Sequence, residues 1–388
     1  MKVLYSFPWG IGASGIGYTA WNQVNELLRL GVEVTLVVGS VARPFDIEPH
    51  KVIEVRKLIG MRVPVKLTGG MLRSAKMHDF FAARALTNSN VDVVHCWPTA
   101  SLKTLKVAST RGIKTFLERP NSHTENAFEI AQMLERDYGC KLNKSHRFSA
   151  TKLAHEVSEY DAADYLLCPS DYVKGTFVVR GYDDSALMRH QYGYNPPPQN
   201  CDAGKDFGVL SGDKPKFLFV GHDPIRKGLM NILEAWFESS AHDRAELHVV
   251  GDVNQSFILA NEKCCQHPSV YIHGVTNNAP AYFLASNYFV LSSFEEGSAL
   301  VTYEAIGMGC VPLVSSSTGA PVKHMETALV HEPGDIKQLA SHFDLVLDSP
   351  AISAKLREAA QKNIEHLTWK SAGRILVDCY DKGLLCTT

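Results

Sequence analysis

Glu296 and Glu304 stand eight positions apart in the stretch Ser293-Phe-Glu-Glu-Gly-Ser-Ala-Leu-Val-Thr-Tyr-Glu-Ala-Ile-Gly-Met-Gly309, between the apolar runs Tyr288 to Leu291 and Val311 to Val314. The second glutamate is followed by Ala305, Ile306, Gly307, Met308 and Gly309, small or apolar neighbours that a solvated helical face would not collect. If Glu296 lies in the loop before a helix and Glu304 on it, the helical phase between them is free, and both carboxylates can point into one cleft. There they would accept hydrogen bonds from neutral hydroxyls, as on a ribose or a hexose. The amides of Gly297, Ser298, Ala299 and Leu300, near the helix start, would attract an anion such as phosphate. The plainer alternative is that Glu296 caps the helix and Glu304 is solvated.

Two further stretches carry chemistry. Phe219-Val-Gly-His-Asp-Pro-Ile-Arg-Lys-Gly228 follows an apolar run and places Arg226 and Lys227, with His222, in one turn. Cations at a strand's carboxyl end suit a pyrophosphate, although a basic turn alone is commonly a solvated loop. Gly10-Ile-Gly-Ala-Ser-Gly15 matches G-x-G-x-x-G between a strand and a helix, the place of a dinucleotide fingerprint. The second strand ends Val37-Val-Gly-Ser40, without the acidic residue a nicotinamide ribose wants. What survives is a set of bare amides before a helix, suited to a phosphate or a sugar hydroxyl, or simply a tight turn.

These stretches sit in an alternation of strand and helix signals. Strands are predicted at Lys2 to Phe7, Val32 to Val38, Val91 to His95, Lys114 to Leu117 and Tyr165 to Cys168, with a helix over Tyr18 to Leu30 stopped by Gly31. Asn195-Pro-Pro-Pro-Gln-Asn200 breaks the pattern. A second series follows: Lys216 to Val220, Glu246 to Val250, Val270 to His273, Tyr288 to Leu291 and Val311 to Val314. Short apolar strands between helices imply buried parallel sheets. The expectation is α/β, with two doubly wound Rossmann-like domains facing a cleft: 1–195, 196–367, and a C-terminal amphipathic helix within 368–388 that could pack back on the first. The 388 residues suffice for two domains. Net charge is −2, so no global field argues for nucleic acid. The nine cysteines form no C-x-x-C and read as reduced thiols, which fits a cytoplasmic protein. No apolar stretch approaches the roughly 18 residues of a membrane span, and the N-terminus reads as a strand rather than a signal peptide.

Taken together, these residues resemble the retaining family 4 glycosyltransferases, which have the GT-B fold. Glu296, seven intervening residues, Glu304-Ala, Gly309 and Val311-Pro312 look like the family's E-x7-E signature. Gly221 with Arg226-Lys227-Gly228 resembles its donor-phosphate turn, and Gly15-Ile-Gly17 its first-domain glycine loop. Val249-Val-Gly251, His273-Gly274-Val275, Cys168-Pro-Ser170 and Leu329-Val-His-Glu-Pro-Gly-Asp335 extend the likeness along nearly the whole chain. The resemblance implies transfer of a sugar from a UDP- or GDP-linked donor to a carbohydrate or lipid-linked acceptor, with retention and no required metal. It implies that Arg226 and Lys227, with the amides of Gly297 to Leu300, neutralise the diphosphate. Glu304 would hold the ribose, Gly274 and Val275 would lie near the base, and Gly15 and Gly17 would approach the diphosphate. Glu296 would contact the donor sugar near the reacting carbon, and His123, in Arg119-Pro-Asn-Ser-His-Thr124, would face that sugar.

Two departures stand out. His222 occupies the position where the family usually has arginine, and Thr318-Gly-Ala-Pro-Val322 lacks a glutamate often found there. A nucleotide-sugar epimerase or a non-catalytic nucleotide-sugar binder shares this architecture and remains open. Residues 51–84 carry Lys51, Arg56, Lys57, Arg62, Lys66, Arg73, Lys76 and Arg84, interleaved with Ile59, Met61, Leu72, Met77, Phe80 and Phe81. That mixture suits peripheral contact with anionic lipid at the inner face of a membrane, or a solvated face.

Overall fold

The computed structural model describes residues 1–58, 61–62, 70–143, 146–196, 210, 212–362 and 364–385. The chain divides into two compact units. One joins Met1–Glu125, Phe148–Tyr192 and Trp369–Thr388, and the other joins Asn126–Arg147 and Gly193–Thr368. The segment 126–147, which lies inside the 1–195 of the sequence reading, thus groups with the second unit. Most of the proline-rich connector, and the side chains of Lys57, Ile59, Met61, Arg62 and Lys66, lie outside the described residues.

The first unit is built on strands β1 (Lys2–Ile11), β2 (Glu33–Val41), β3 (Lys51–Glu54), β6 (Val93–Cys96), β7 (Lys114–Glu118), β8 (Tyr165–Cys168) and β9 (Leu187–Arg189). The antiparallel pair β4 (Lys57–Leu58) and β5 (Met61–Arg62) stands apart. The sheet order is β3-β2-β1-β6-β7-β8-β9, all parallel. Both faces are covered, so the strands read as continuous apolar runs: Val3, Leu4, Tyr5 and Phe7 are all buried. β1 runs four residues beyond the predicted Phe7, with a register shift between Phe7 and Gly10. Pro8, within that irregularity, has no N–H to give the ladder. Helix α1 (Ile16–Arg29) ends as predicted at Gly31, where Gly31 N–H reaches Leu28 and Val32 N–H reaches Leu27, satisfying the last carbonyls. Next come α2 (Met71–Thr87), α3 (Leu102–Thr110) and α4 (Thr124–Asp137).

The C-terminal helix, Trp369–Leu385, belongs to this first unit. Gly373 packs on Glu26 of α1, where a Cβ would come within 2.4 Å of the Glu26 Cβ. Its Tyr380 closes a fully buried polar network. Tyr380 Oη lies 2.6 Å from His95 Nδ1, and the other imidazole nitrogen lies 3.5 Å from Glu118. Glu118 also meets His190 at 2.9 Å and accepts from Gln23 at 2.9 Å and Tyr192 at 3.0 Å. Burial alone would raise the Glu118 carboxyl, but His190 and His95 hold it well below the usual range.

The second unit has a six-stranded parallel sheet. Its strands are β10 (Lys216–Val220), β11 (Glu246–Val250), β12 (Val270–Gly274), β13 (Tyr288–Leu291), β14 (Val311–Ser315) and β15 (Leu329–His331). The order is β12-β11-β10-β13-β14-β15. The strand sequence reverses direction between β10 and β13, so the carboxyl ends of these two neighbours form the switch point at which such sheets bind ligands. The core below joins Phe217, Phe219, Trp236, Phe289, Leu313 and Phe343. Ala131, Leu134 and Leu142 of the segment 126–147 cluster with Phe294, and Tyr138 donates to Asn231 at 2.6 Å.

Candidate active site

The turn after β10 and the loop after β13 meet at the switch point of the second unit. They pack tightly at Gly228, which has φ 68°, and a Cβ there would sit 1.9 Å from the Ser292 carbonyl oxygen. Only glycine meets both requirements. Phe294 N–H donates to Arg226 O at 2.9 Å, tying the two loops a second time. Ser315 Oγ, at the end of β14, holds the Ser293 carbonyl at 2.6 Å.

This framework brings Arg226, Lys227 and Glu296 together. Lys227 Nζ lies 2.6 Å from Glu296 Oε1, and Arg226 Nη1 lies 3.5 Å from the same oxygen. Ser293 Oγ donates to it at 3.2 Å. Arg226 also donates to the Glu295 carbonyl at 2.5 Å and approaches the carboxylates of Glu295 and Asp223, each at 3.5 Å. Burial would raise the Glu296 carboxyl, but Lys227 and Arg226 more than offset this and hold it at about 2. Glu296 is therefore ionised at any ordinary pH and is an acceptor, not an acid. Arg226 stays charged despite its burial because Glu296, Glu295 and Asp223 face it.

Three carboxylates thus surround two cations. Sequence reasoning did not single out Asp223 or Glu295. Asp223 precedes a proline in the turn and has φ 63°, and Glu295 is the buried neighbour of a glutamate already chosen. Pairing them with Arg226 needs the fold, because Arg226 and Glu295 are 69 positions apart.

Glu304 is placed differently. It lies on the helix Leu300–Gly307, and among the described residues its carboxylate has no hydrogen bond or ion pair. Burial alone pushes its carboxyl up to about 7. The helix start is partly committed: Ala299 N–H donates to Thr318 O at 2.9 Å, so that amide is taken. Ser298 Oγ meets Tyr303 Oη at 2.7 Å and donates to Gly319 O at 3.0 Å. Gly297 and Leu300 flank these two, with Leu300 opening the helix.

His222 is exposed, and its Nδ1 accepts from Asp252 N–H at 3.3 Å. Gly274 ends β12 and accepts from Gly251 N–H at 2.8 Å, while Val275 beside it is 67% exposed.

The remaining sequence-selected residues lie in the first unit. Gly15 caps α1 with φ 69°. Gly17 lies so close to Gly10 that a Cβ would fall 2.5 Å from the Gly10 carbonyl oxygen. His123 is buried, with its ring against Tyr160, Phe177 and Tyr182. Burial, then Arg119 and Arg180, lower its pKa to about 4. Its amide donates to Thr176 Oγ1 at 2.9 Å. Among the described residues no group of three or more His, Cys, Asp or Glu could hold a metal ion, and no helix is long and apolar enough to cross a membrane.

Comparison with known proteins places this geometry in a class. Residues 204–364, which fall within the second unit, match the family described as Glycosyl transferases group 1. A Haemophilus influenzae protein named as an uncharacterized glycosyltransferase is 26% identical over 151 residues, 37% of this chain and 42% of that protein. Among solved structures, the sucrose-phosphate synthase of Thermosynechococcus elongatus aligns over 100% of this chain and 99% of its own, with TM-score 0.72 and 17% identity. The Anabaena protein HepE, solved with UDP-glucose, aligns over 98% of this chain and 100% of its own, with TM-score 0.65 and 13% identity. The architecture, two parallel sheets flanked by helices, is that of these GT-B glycosyltransferases.

Proposed function

We propose that the protein transfers a sugar from a UDP- or GDP-linked nucleotide-diphosphate sugar to a carbohydrate or lipid-linked acceptor, with retention at the anomeric carbon. Glu304 carries this reading: a mostly buried carboxylate without a partner, on the helix that follows the loop of Glu296. An unpaired buried carboxylate is costly, and the two hydroxyls of a ribose would satisfy it. Arg226 and Lys227 then take the diphosphate, exchanging part of their contact with Glu296 for phosphate oxygens. Glu296, released towards the sugar, accepts from its hydroxyls.

In the reaction the bond from the anomeric carbon to the diphosphate oxygen breaks, and a bond to the acceptor oxygen forms on the same face. The acceptor's proton passes to the departing diphosphate. The two cations stabilise the charge that develops on that leaving group. Retention rests on the likeness to the E-x7-E signature, and no nucleophile is assigned.

The test is a thermal-shift panel of UDP, GDP, ADP, dTDP and NAD(H) on the wild type and Glu304→Ala, followed by product analysis with the matching nucleotide sugar. One nucleoside diphosphate should raise the wild-type melting temperature and lose that effect in the variant. A ligand at 100 times its dissociation constant adds about 2.7 kcal/mol of apparent stability. A shift with NAD(H) alone would overturn the reading. Interconversion of donors without transfer would indicate an epimerase.

A further inference from the structure

The sequence places a basic and apolar mixture in 51–84, but the fold sorts it. Arg56 is turned inward, 5% exposed, near Ser40. Lys51 stays exposed on β3, and the other described surface cations are arranged along α2 and α3. On α2, Arg73, Lys76, Phe80 and Arg84 recur at helical spacing on the face opposite the buried Ala75, His78, Ala82 and Leu86. Phe80 and Phe81 are 45% and 41% exposed, and Met71 and Leu72, at the start of the helix, more so. Lys103 of α3 lies over the Phe80 ring, 4.6 Å from its centroid, and Lys106 is one turn further on.

The acids of this region are absent from that face for structural reasons. Asp79, the one carboxylate of α2 and α3, is buried and receives the Lys103 and Thr104 amides at 2.7 and 2.9 Å. Glu159, packed nearby, is buried and accepts from the Thr99 and Ser101 amides. Both carboxylates are spent on the α3 start, which leaves the outer face with cations alone. Among the described residues, none of the side chains of Arg73, Lys76, Arg84, Lys103 and Lys106 makes an ion pair or a hydrogen bond.

We propose that the outer face of α2 and α3 docks on an anionic lipid bilayer, with Phe80 and Phe81 entering the interfacial layer and the surrounding cations meeting lipid phosphates. Two features select a bilayer over an acidic protein. Exposed phenylalanines on a helix lying flat gain by entering the headgroup boundary. A fluid surface can also satisfy five separate cations without a fixed complementary shape. The inference is independent of the donor reading, since none of these residues lies near Glu304 or Lys227 in the chain or belongs to their unit.

The experiment is co-sedimentation of the full chain with phosphatidylcholine vesicles and with vesicles about one-third phosphatidylglycerol. Binding is expected to the anionic vesicles only, and to fall steeply as salt rises from about 0.1 M to about 0.5 M. The double variant Lys76→Gln/Arg84→Gln should lower the partition coefficient roughly 30-fold, from about a factor of five per cation. Phe80→Ser/Phe81→Ser should lower it roughly tenfold or more. Both variants should melt as the wild type does and keep the same nucleotide-induced shift, which separates loss of docking from loss of fold or donor site. No binding to phosphatidylglycerol vesicles, equal binding to both vesicle types, or unchanged binding by folded variants would each overturn the proposal.

Discussion

Glu304→Gln should make the protein more stable and less able to hold its nucleotide. The Glu304 carboxyl titrates near 7 in the folded chain against an ordinary 4.5. Between those values the native state keeps a proton that the unfolded chain has lost. The protonated carboxyl therefore contributes stability that is complete below pH 4.5 and is lost as pH rises through about 7. At pH 8 the wild type carries the full cost of an ionised, mostly buried group, about 3 kcal/mol as an upper figure. Glutamine, of nearly the same shape, carries none of it. The assay is thermal unfolding of both proteins from about pH 5 to about pH 8, with and without the stabilising nucleoside diphosphate. Without ligand, the variant should melt higher at the alkaline end and converge with the wild type at the acid end. With ligand, the order should reverse, because ribose hydroxyls donate to a carboxylate better than to an amide. Binding should then release protons below about pH 7, so wild-type affinity rises with pH up to that point. A variant that is less stable at pH 8, or that retains the full ligand shift, would refute the argument.

Three other outcomes follow from the same geometry. Glu296→Gln removes one of three carboxylates around Arg226 and Lys227, so UDP or GDP should bind about as well or several-fold better while transfer falls by a factor of 100 or more; calorimetric titration alongside turnover would show the split. Gly228→Ala should lower stability by more than about 4 kcal/mol, because it combines a left-handed backbone with a collision against the Ser292 carbonyl; unfolding in urea is the check, and an unaltered midpoint would contradict the packing described. His123→Ala should cost about 2–4 kcal/mol at pH 8 by emptying an aromatic pocket. The neutral wild-type ring contributes stability that is present above pH 6.5 and lost as pH falls through about 4, so the variant should lose that part of the acid sensitivity.

Much of the fold was legible because parallel strands buried on both faces write themselves as apolar runs. Tyr165 to Cys168, Lys216 to Val220, Glu246 to Val250 and Tyr288 to Leu291 have the bounds their composition suggests. The edge strands Leu187–Arg189 and Leu329–His331 escaped, since three residues carry no period. The segment 126–147 groups with the second unit through Leu134, Leu142 and Tyr138, contacts with residues some 90 to 160 positions away that no local pattern records. At the site, the types and spacing of Glu296, Glu304, Arg226 and Lys227 were readable, but their opposite electrostatic states were not. One glutamate is held ionised by two cations and the other is left alone to hold a proton, and that difference depends on which loop each strand end meets. The commitment of the Ala299 amide to Thr318, and the inward turn of Arg56 and Asp79, are likewise invisible before folding.

The place of the last helix has a consequence for synthesis. Leu376, Cys379 and Tyr380 are part of the first unit's core, and Tyr380 closes the network around His95 and Glu118. These residues leave the ribosome after the whole span Gly193–Thr368 of the second unit. At about 5–20 residues per second, the nascent first unit waits on the order of 10–40 s with an open flank and a buried-type carboxylate still wet. The second unit can close before the first, reversing the usual order of domain completion. A chain truncated before Trp369 by premature termination would leave the first unit, rather than the second, exposed to proteases and chaperones.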